Sequence, residues 1–166
     1  MDEPTDGLDP NQKHQIRKLI EEMAKEKAIV ISTHILEEVE AVCTRAIVIN
    51  KGRIVADGTA EELMRRVPYH GAVAIRVATD KVDAVKRALA GARGIANVET
   101  LSAANGQSQL RAFPKDGPRN GGAIATDVAS LMREQAIVVE EMYVERGKLD
   151  DVFRQITTPD QDAGHA

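Results

Sequence analysis

Aromatic side chains are scarce in this chain: two tyrosines, two phenylalanines and no tryptophan among 166 residues. Any core must therefore be built from Val, Ile, Leu, Ala and Met. Cysteine is almost missing. The single Cys43 excludes an internal disulfide framework, suits a reducing cytosol and is expected to fill a core position. Positive charge is not in excess. A net charge of −4 gives no electrostatic footprint for nucleic acid, and no basic block reads as a membrane-surface patch. Long hydrophobic runs are lacking too. Stretches such as Ala28-Ile29-Val30-Ile31 fall far below the roughly 18 residues that span a bilayer. Acids follow Met1 at once, so no signal peptide is expected. His14, His70 and His165 are too scattered to suggest a metal site.

What is present fits one ordinary domain or two small ones. Asp2-Glu3-Pro4 reads as the exit of a strand, because Pro4 has no amide proton to donate inside one. Asp9 is placed to cap a helix, with Pro10 at its first position and Gln12 at its third. That helix is predicted from Pro10 to Glu26, with Ile16, Leu19, Ile20 and Met23 on one face. Ala28 to Ser32 is a short apolar run, as expected of a parallel strand buried on both faces. Ser32 or Thr33 then caps a helix through Cys43, with Ile35, Val39, Val42 and Cys43 inward. Ala46 to Ile49 and Arg53 to Asp57 read as strands around a Lys51-Gly52 turn, and Thr59 with Glu62 as a capping box for a helix to about Arg66.

The pattern changes at Val67-Pro68-Tyr69-His70-Gly71, where we place a domain boundary. Val73, Ile75 and Val77 alternate as a strand with one buried face. Asp80 is placed to cap a helix bearing Val82, Val85 and Leu89. Strands follow over Val98 to Leu101 and Gln107 to Phe113, joined by an Asn105-Gly106 hairpin signal. Pro114 to Gly122 is a polar loop. A helix with Ile124, Val128, Leu131 and Met132 on one stripe leads to a last strand, Ala136 to Tyr143. This order of elements suggests a ferredoxin-like split βαβ arrangement. A short amphipathic helix around Leu149, Val152, Phe153 and Ile156 closes the chain, and the polar tail is expected to be disordered.

Asp2-Glu3-Pro4-Thr5-Asp6-Gly7-Leu8-Asp9-Pro10, an amphipathic helix, an apolar run and Ser32-Thr33-His34 together resemble the second half of an ATP-binding-cassette (ABC) ATPase subunit. The resemblance continues through Ile47 to Gly58 and covers about residues 1–66. The remainder, with its closing Leu149-Asp150-Asp151-Val152-Phe153, resembles more loosely the C-terminal extension of bacterial ABC-2 type exporter ATPases. The fold implied is α/β: a partial P-loop NTPase-like α/β half over 1–67, then a small ferredoxin-like α+β domain over 71–157 and a tail over 158–166.

By this resemblance Asp2, at the end of the Walker B strand, is the Mg²⁺ ligand, and Glu3 orients or deprotonates the water that attacks ATP. His34 is the switch histidine that contacts the γ-phosphate. Asp9 is the D-loop aspartate reaching toward a partner's nucleotide site. The implied partners are a membrane permease and a second ATPase subunit. The implied location is cytoplasmic, peripheral on the inner face of the plasma membrane. No G-x-x-x-x-G-K-[ST] phosphate loop and no Leu-Ser-Gly-Gly-Gln signature occur in these residues, so the chain alone is expected to lack ATPase activity and to bind Mg·ATP weakly or not at all. The competing expectation is a non-enzymatic regulatory or dimerisation module built on the second domain, acting as a homodimer.

Overall fold

The computed structural model describes residues 1–115, 117 and 121–157. The predicted tail and part of the 114–122 loop lie outside them. The described residues form a mixed α/β structure with two antiparallel sheets. The described residues divide into two compact units: Met1–Leu63 together with the helix from Leu149 to Thr157, and Met64–Lys148.

In the first unit, helix α1 spans Pro10–Met23. Its start follows from local chemistry. Asp9 Oδ1 accepts from the amides of Asn11 and Gln12 at 2.8 and 2.9 Å, and Gln12 Oε1 accepts from the Asp9 amide at 3.2 Å. The helix stops three residues before the predicted Glu26, in a tightened turn where Lys25 donates to the Glu22 carbonyl. Ile20 is buried, whereas Leu19, at the edge of the apolar stripe, is half exposed.

The predicted strand over Ala28 to Ser32 does not form. One parallel bridge, Asp2 to Ser32, stands in its place. It is held by the Met1 amine donating to the Val30 carbonyl, the Ser32 amide to Met1 and the Glu3 amide to Ser32, each at 2.8–2.9 Å. A parallel strand needs a ladder on both sides and covered faces; a three-residue partner supplies a single bridge, and Val30 stays exposed.

Helix α2 is short, Leu36–Val42, and starts later than predicted. Neither Ser32 nor Thr33 caps it, because Ile35 occupies the N-cap position; the Ser32 hydroxyl donates to Asp2, and Thr33 Oγ1 donates to Glu3 and accepts from the Ile35 amide just ahead of the helix. Its fully buried residue is Glu38, not one of the predicted apolar set.

Strands β1 (Ala46–Asn50) and β2 (Arg53–Gly58) form an antiparallel hairpin. Lys51 and Gly52 both take positive φ (49° and 72°), the geometry whose twist matches the flanking strands. Ile47, Ile49 and Ile54 remain exposed on it. Helix α3 (Ala60–Met64) has the expected box, Glu62 donating its amide to Thr59 Oγ1 and accepting from the Thr59 amide. The closing helix α6 spans Leu149–Thr157, with Leu149 and Val152 buried.

The second unit runs β3 (Val73–Ala78), a 3₁₀ turn (Thr79–Lys81), α4 (Val82–Ala90), β4 (Ile95–Ala104), β5 (Gln107–Pro114), α5 (Gly121–Glu134) and β6 (Glu141–Val144). All pairings are antiparallel, in the order β4-β5-β3-β6. Val73, Ile75 and Val77 meet Val85, Leu89, Leu110 and the α5 stripe in one continuous core. Asn105 and Gly106 turn the β4–β5 hairpin with φ of 52° and 76°. Two expectations fail locally. Asp80 sits in the 3₁₀ turn, 3.0 Å from Lys81, and makes no cap. The strand expected from Ala136 begins only at Glu141. Ala136 takes φ +52° and donates to the Arg133 carbonyl while Ile137 donates to Met132, a Schellman stop for α5.

Candidate functional site

The Asp2–Ser32 bridge brings the acidic turn beside the Ser32-Thr33-His34 segment. Three of the four residues singled out in the sequence meet there. Glu3 is the centre. Its Oε1 accepts from the His34 amide at 3.1 Å and lies 2.8 Å from His34 Nδ1; its Oε2 accepts from Thr33 Oγ1 at 3.1 Å. Asp2 accepts from the Ser32 hydroxyl next to it. The Glu3 backbone has φ +41°, a region that side-chain-bearing residues seldom occupy. Asp6 donates its amide back to the Glu3 carbonyl, and Gly7, at φ +69°, completes the turn.

The electrostatics follow from these contacts. The hydrogen bond from His34 holds the Glu3 carboxyl below the usual carboxylate range, with help from Thr33. The same bond raises the His34 imidazole above its ordinary value, and Asp6 adds to it. An ionised carboxylate only accepts, so His34 carries its proton on Nδ1 toward Glu3. The ring is 74% exposed, which leaves Nε2 as the atom for a ligand. A carboxylate has about four acceptor positions. Three are taken, so Glu3 retains room for one water.

Asp9 is not part of this cluster. Its carboxylate is committed to the first turn of α1. Among the described residues no group of three or more His, Cys, Asp or Glu side chains is arranged to hold a metal. Asp2 offers a single exposed carboxylate, a donor set that suits Mg²⁺, which binds through one or two carboxylates together with waters and phosphate oxygens.

Three further participants carry no site role in the sequence reading. Thr33 enters it as a motif residue and candidate helix cap, and neither Glu38 nor Arg17 is given a role. Glu38 is in fact 3% exposed. Arg17 reaches it with Nε at 3.2 Å and a terminal nitrogen at 2.8 Å, and Lys13 Nζ lies at 3.8 Å. Arg17 accordingly holds the Glu38 carboxyl below its usual range. Glu38 differs from Glu37 in its burial, and apolar periodicity, which marks buried faces, does not mark a buried acid.

No family model matches the chain. Curated proteins do. The Nod factor export ATP-binding protein I of Mesorhizobium japonicum is 45% identical over 65 residues, covering 39% of this chain and 19% of that protein. ABC transporter A family member 8 of Dictyostelium discoideum is 40% identical over 63 residues, 38% of this chain and 8% of its own length. The daunorubicin resistance ATP-binding protein DrrA2 of Streptomyces coeruleorubidus is 28% identical over 158 residues, 95% of this chain and 47% of that protein. The chain spans less than half the length of these relatives. Its sequence is similar to the C-terminal part of ABC-2 type ATP-binding subunits.

Proposed function

From this kinship with the C-terminal part of ABC ATP-binding subunits, we propose that the chain contributes the hydrolytic edge of an ATP site in an ABC exporter subunit, coupling ATP binding and hydrolysis to transport. The observation that carries this reading is the Glu3 carboxylate, fixed by Thr33 and His34 at the mouth of an exposed turn. Phosphoryl transfer asks a protein mainly for positioning and electrostatics. In this reading Glu3 uses its remaining acceptor position to orient the attacking water, and Nε2 of His34 donates to the γ-phosphate. Asp2 would hold Mg²⁺, which neutralises phosphate charge when bound. Asp9, besides capping α1, reaches toward the site of a second ATPase subunit. A membrane permease is the further partner, which places the assembly on the inner face of the plasma membrane. Among the described residues no helix is long and apolar enough to cross a membrane.

The second unit is read as a ferredoxin-like domain, supported by its β-α-β-β-α-β order and its β4-β5-β3-β6 sheet. Its edge strand β4 is ten residues long and mostly exposed, which favours an alternative role in pairing two copies. Sedimentation equilibrium giving a monomer at high concentration removes that alternative.

The 166 residues carry no phosphate loop, so the chain by itself is expected to show no ATPase activity. The main reading is tested in a hybrid, with this chain replacing the segment of the daunorubicin resistance ATP-binding protein that it aligns with. The hybrid should hydrolyse ATP, and Glu3→Gln should lower kcat by at least about a hundredfold, the scale of losing a positioned acid–base group, with ATP binding retained. Equal hydrolysis by both hybrids would refute the role of Glu3.

A further inference from the structure

Glu38 presents a physical problem that the proposed chemistry does not use. A carboxylate taken out of water is costly unless it is paired and hydrogen-bonded. The side chain of Glu38 is 4% exposed, and its partners come from a separate stretch of the chain. Beside it lies Thr5 of the acidic turn, itself 2% exposed and lining the same dry space. Lys13 and Arg17 belong to α1. Glu38 lies on α2, four residues beyond His34. The space among Pro4, Thr5, Ile20, Ile31, Thr33 and Glu38 has no room for a water molecule, so no water separates Glu38 from this apolar side of its surroundings.

Thr5 and Thr33, which line that dry space, also bracket the site. Thr5 is two residues from Glu3. Thr33 donates to Glu3 and accepts from the Ile35 amide at the entrance to α2. The Glu3–His34 pair is therefore spanned by exposed bonds on one side and by a buried ionic knot on the other. The exposed bonds alone are weak anchors, since charge pairs facing water contribute little.

We propose that Glu38 is a positioning residue: by holding Arg17 of α1 on one buried carboxylate, against which Thr5 packs in the same dry space, it clamps the turn that bears Glu3 against the segment that bears His34. Its bearing on hydrolysis rests on the function proposed above; the clamp itself does not. Arg17 supplies a two-pronged guanidinium contact, which fixes direction as well as distance. Thr5 brings the acidic turn into the same dry space, beside Thr33 and Glu38. Loss of the carboxylate charge should free the turn while leaving the β1–β2 hairpin, which contributes none of these partners, as it was.

The test uses the 166-residue chain without nucleotide. In Glu38→Gln, the His34 amide, which donates to Glu3, should exchange with solvent about tenfold faster as local opening becomes easier. The nitrogen chemical shift of His34 Nδ1 should move toward that of free histidine. Amides of Ala46–Gly58 should keep their rates. Removing one member of a buried pair leaves the other uncompensated, so Arg17→Gln/Glu38→Gln is the second arm, with both charges removed. The same selective change is expected there. If Glu3→Gln shifts these signals and both Glu38 variants leave them unchanged, the clamp is overturned. It is also overturned if His34 and the hairpin accelerate together in both variants, because Glu38 would then be a general stabilising group. No ATP enters this measurement, so its failure leaves the hybrid experiment untouched, and a hybrid that ignores Glu3→Gln leaves the clamp standing.

Discussion

The two units solve the burial problem in opposite ways. Met64–Lys148 closes a sheet with α4 and α5 over a continuous aliphatic core, in which Val73, Ile75, Val77, Leu89 and Leu110 are fully buried. Met1–Leu63 is arranged around polar groups: a buried glutamate, a bridge of single-residue length and a hairpin whose isoleucines face water. The first unit carries the candidate chemistry and the second carries the packing. Side chains that must meet a ligand cannot also fill a core, so the unit with the site is the less complete one by the measure of apolar burial.

That contrast can be broken most directly at Leu110. Leu110→Ala should cost about 2–5 kcal/mol in urea unfolding, the range for emptying a packed aliphatic site, whereas Ile49→Ala on the exposed hairpin should stay within about 0.5 kcal/mol. Equal effects would erase the distinction. A smaller loss is expected at Gly147, where an added Cβ would overlap the Met64 carbonyl oxygen and crowd Val67. Gly147→Ala should destabilise by about 1–3 kcal/mol, as overpacking does, read as a lower midpoint in thermal unfolding. Smaller again and opposite in sign, Ala136→Gly should stabilise by about 0.5–1 kcal/mol, because the left-handed conformation that ends α5 suits glycine.

The weakest expected effect is the pH dependence of the first unit. His34 is raised in the folded chain, so its contribution is full below its ordinary value and is lost as pH rises through the raised one. Glu3 is lowered, so its contribution is full above its ordinary value and is lost as pH falls through the lowered one. The pair therefore supports the fold between those limits. The stability difference between the native chain and His34→Gln, followed across pH by chemical denaturation, should be greatest in that interval and shrink on both sides. A flat difference would show that the pair contributes nothing to folding.

Features written in neighbouring residues were legible from the sequence. The Asp9–Gln12 and Thr59–Glu62 boxes and the Asn105-Gly106 turn need no distant partner, and each stands where it was expected. The bond between Glu3 and His34 was not among the expectations: the resemblance gave each a role toward ATP and implied no contact between them. What failed depends on neighbours that local patterns cannot specify. Ala28 to Ser32 has a strand's composition without a strand's partners. Ala136 takes a conformation ordinarily left to glycine or asparagine, so the turn that delays the last strand to Glu141 had no sign in the residues. The pairing of Arg17 with Glu38 joins residues 21 apart on two helices, a contact that no local pattern specifies.

The conformation of Glu3 has a practical consequence. An L-residue at φ +41° sits where the backbone alone would favour glycine. A laboratory screen rewarding only yield or heat resistance would thus be drawn to Glu3→Gly, relaxing the peptide while discarding the carboxylate that meets His34. Variants enriched by such a screen should be inspected at this position before they are trusted as versions of the same protein.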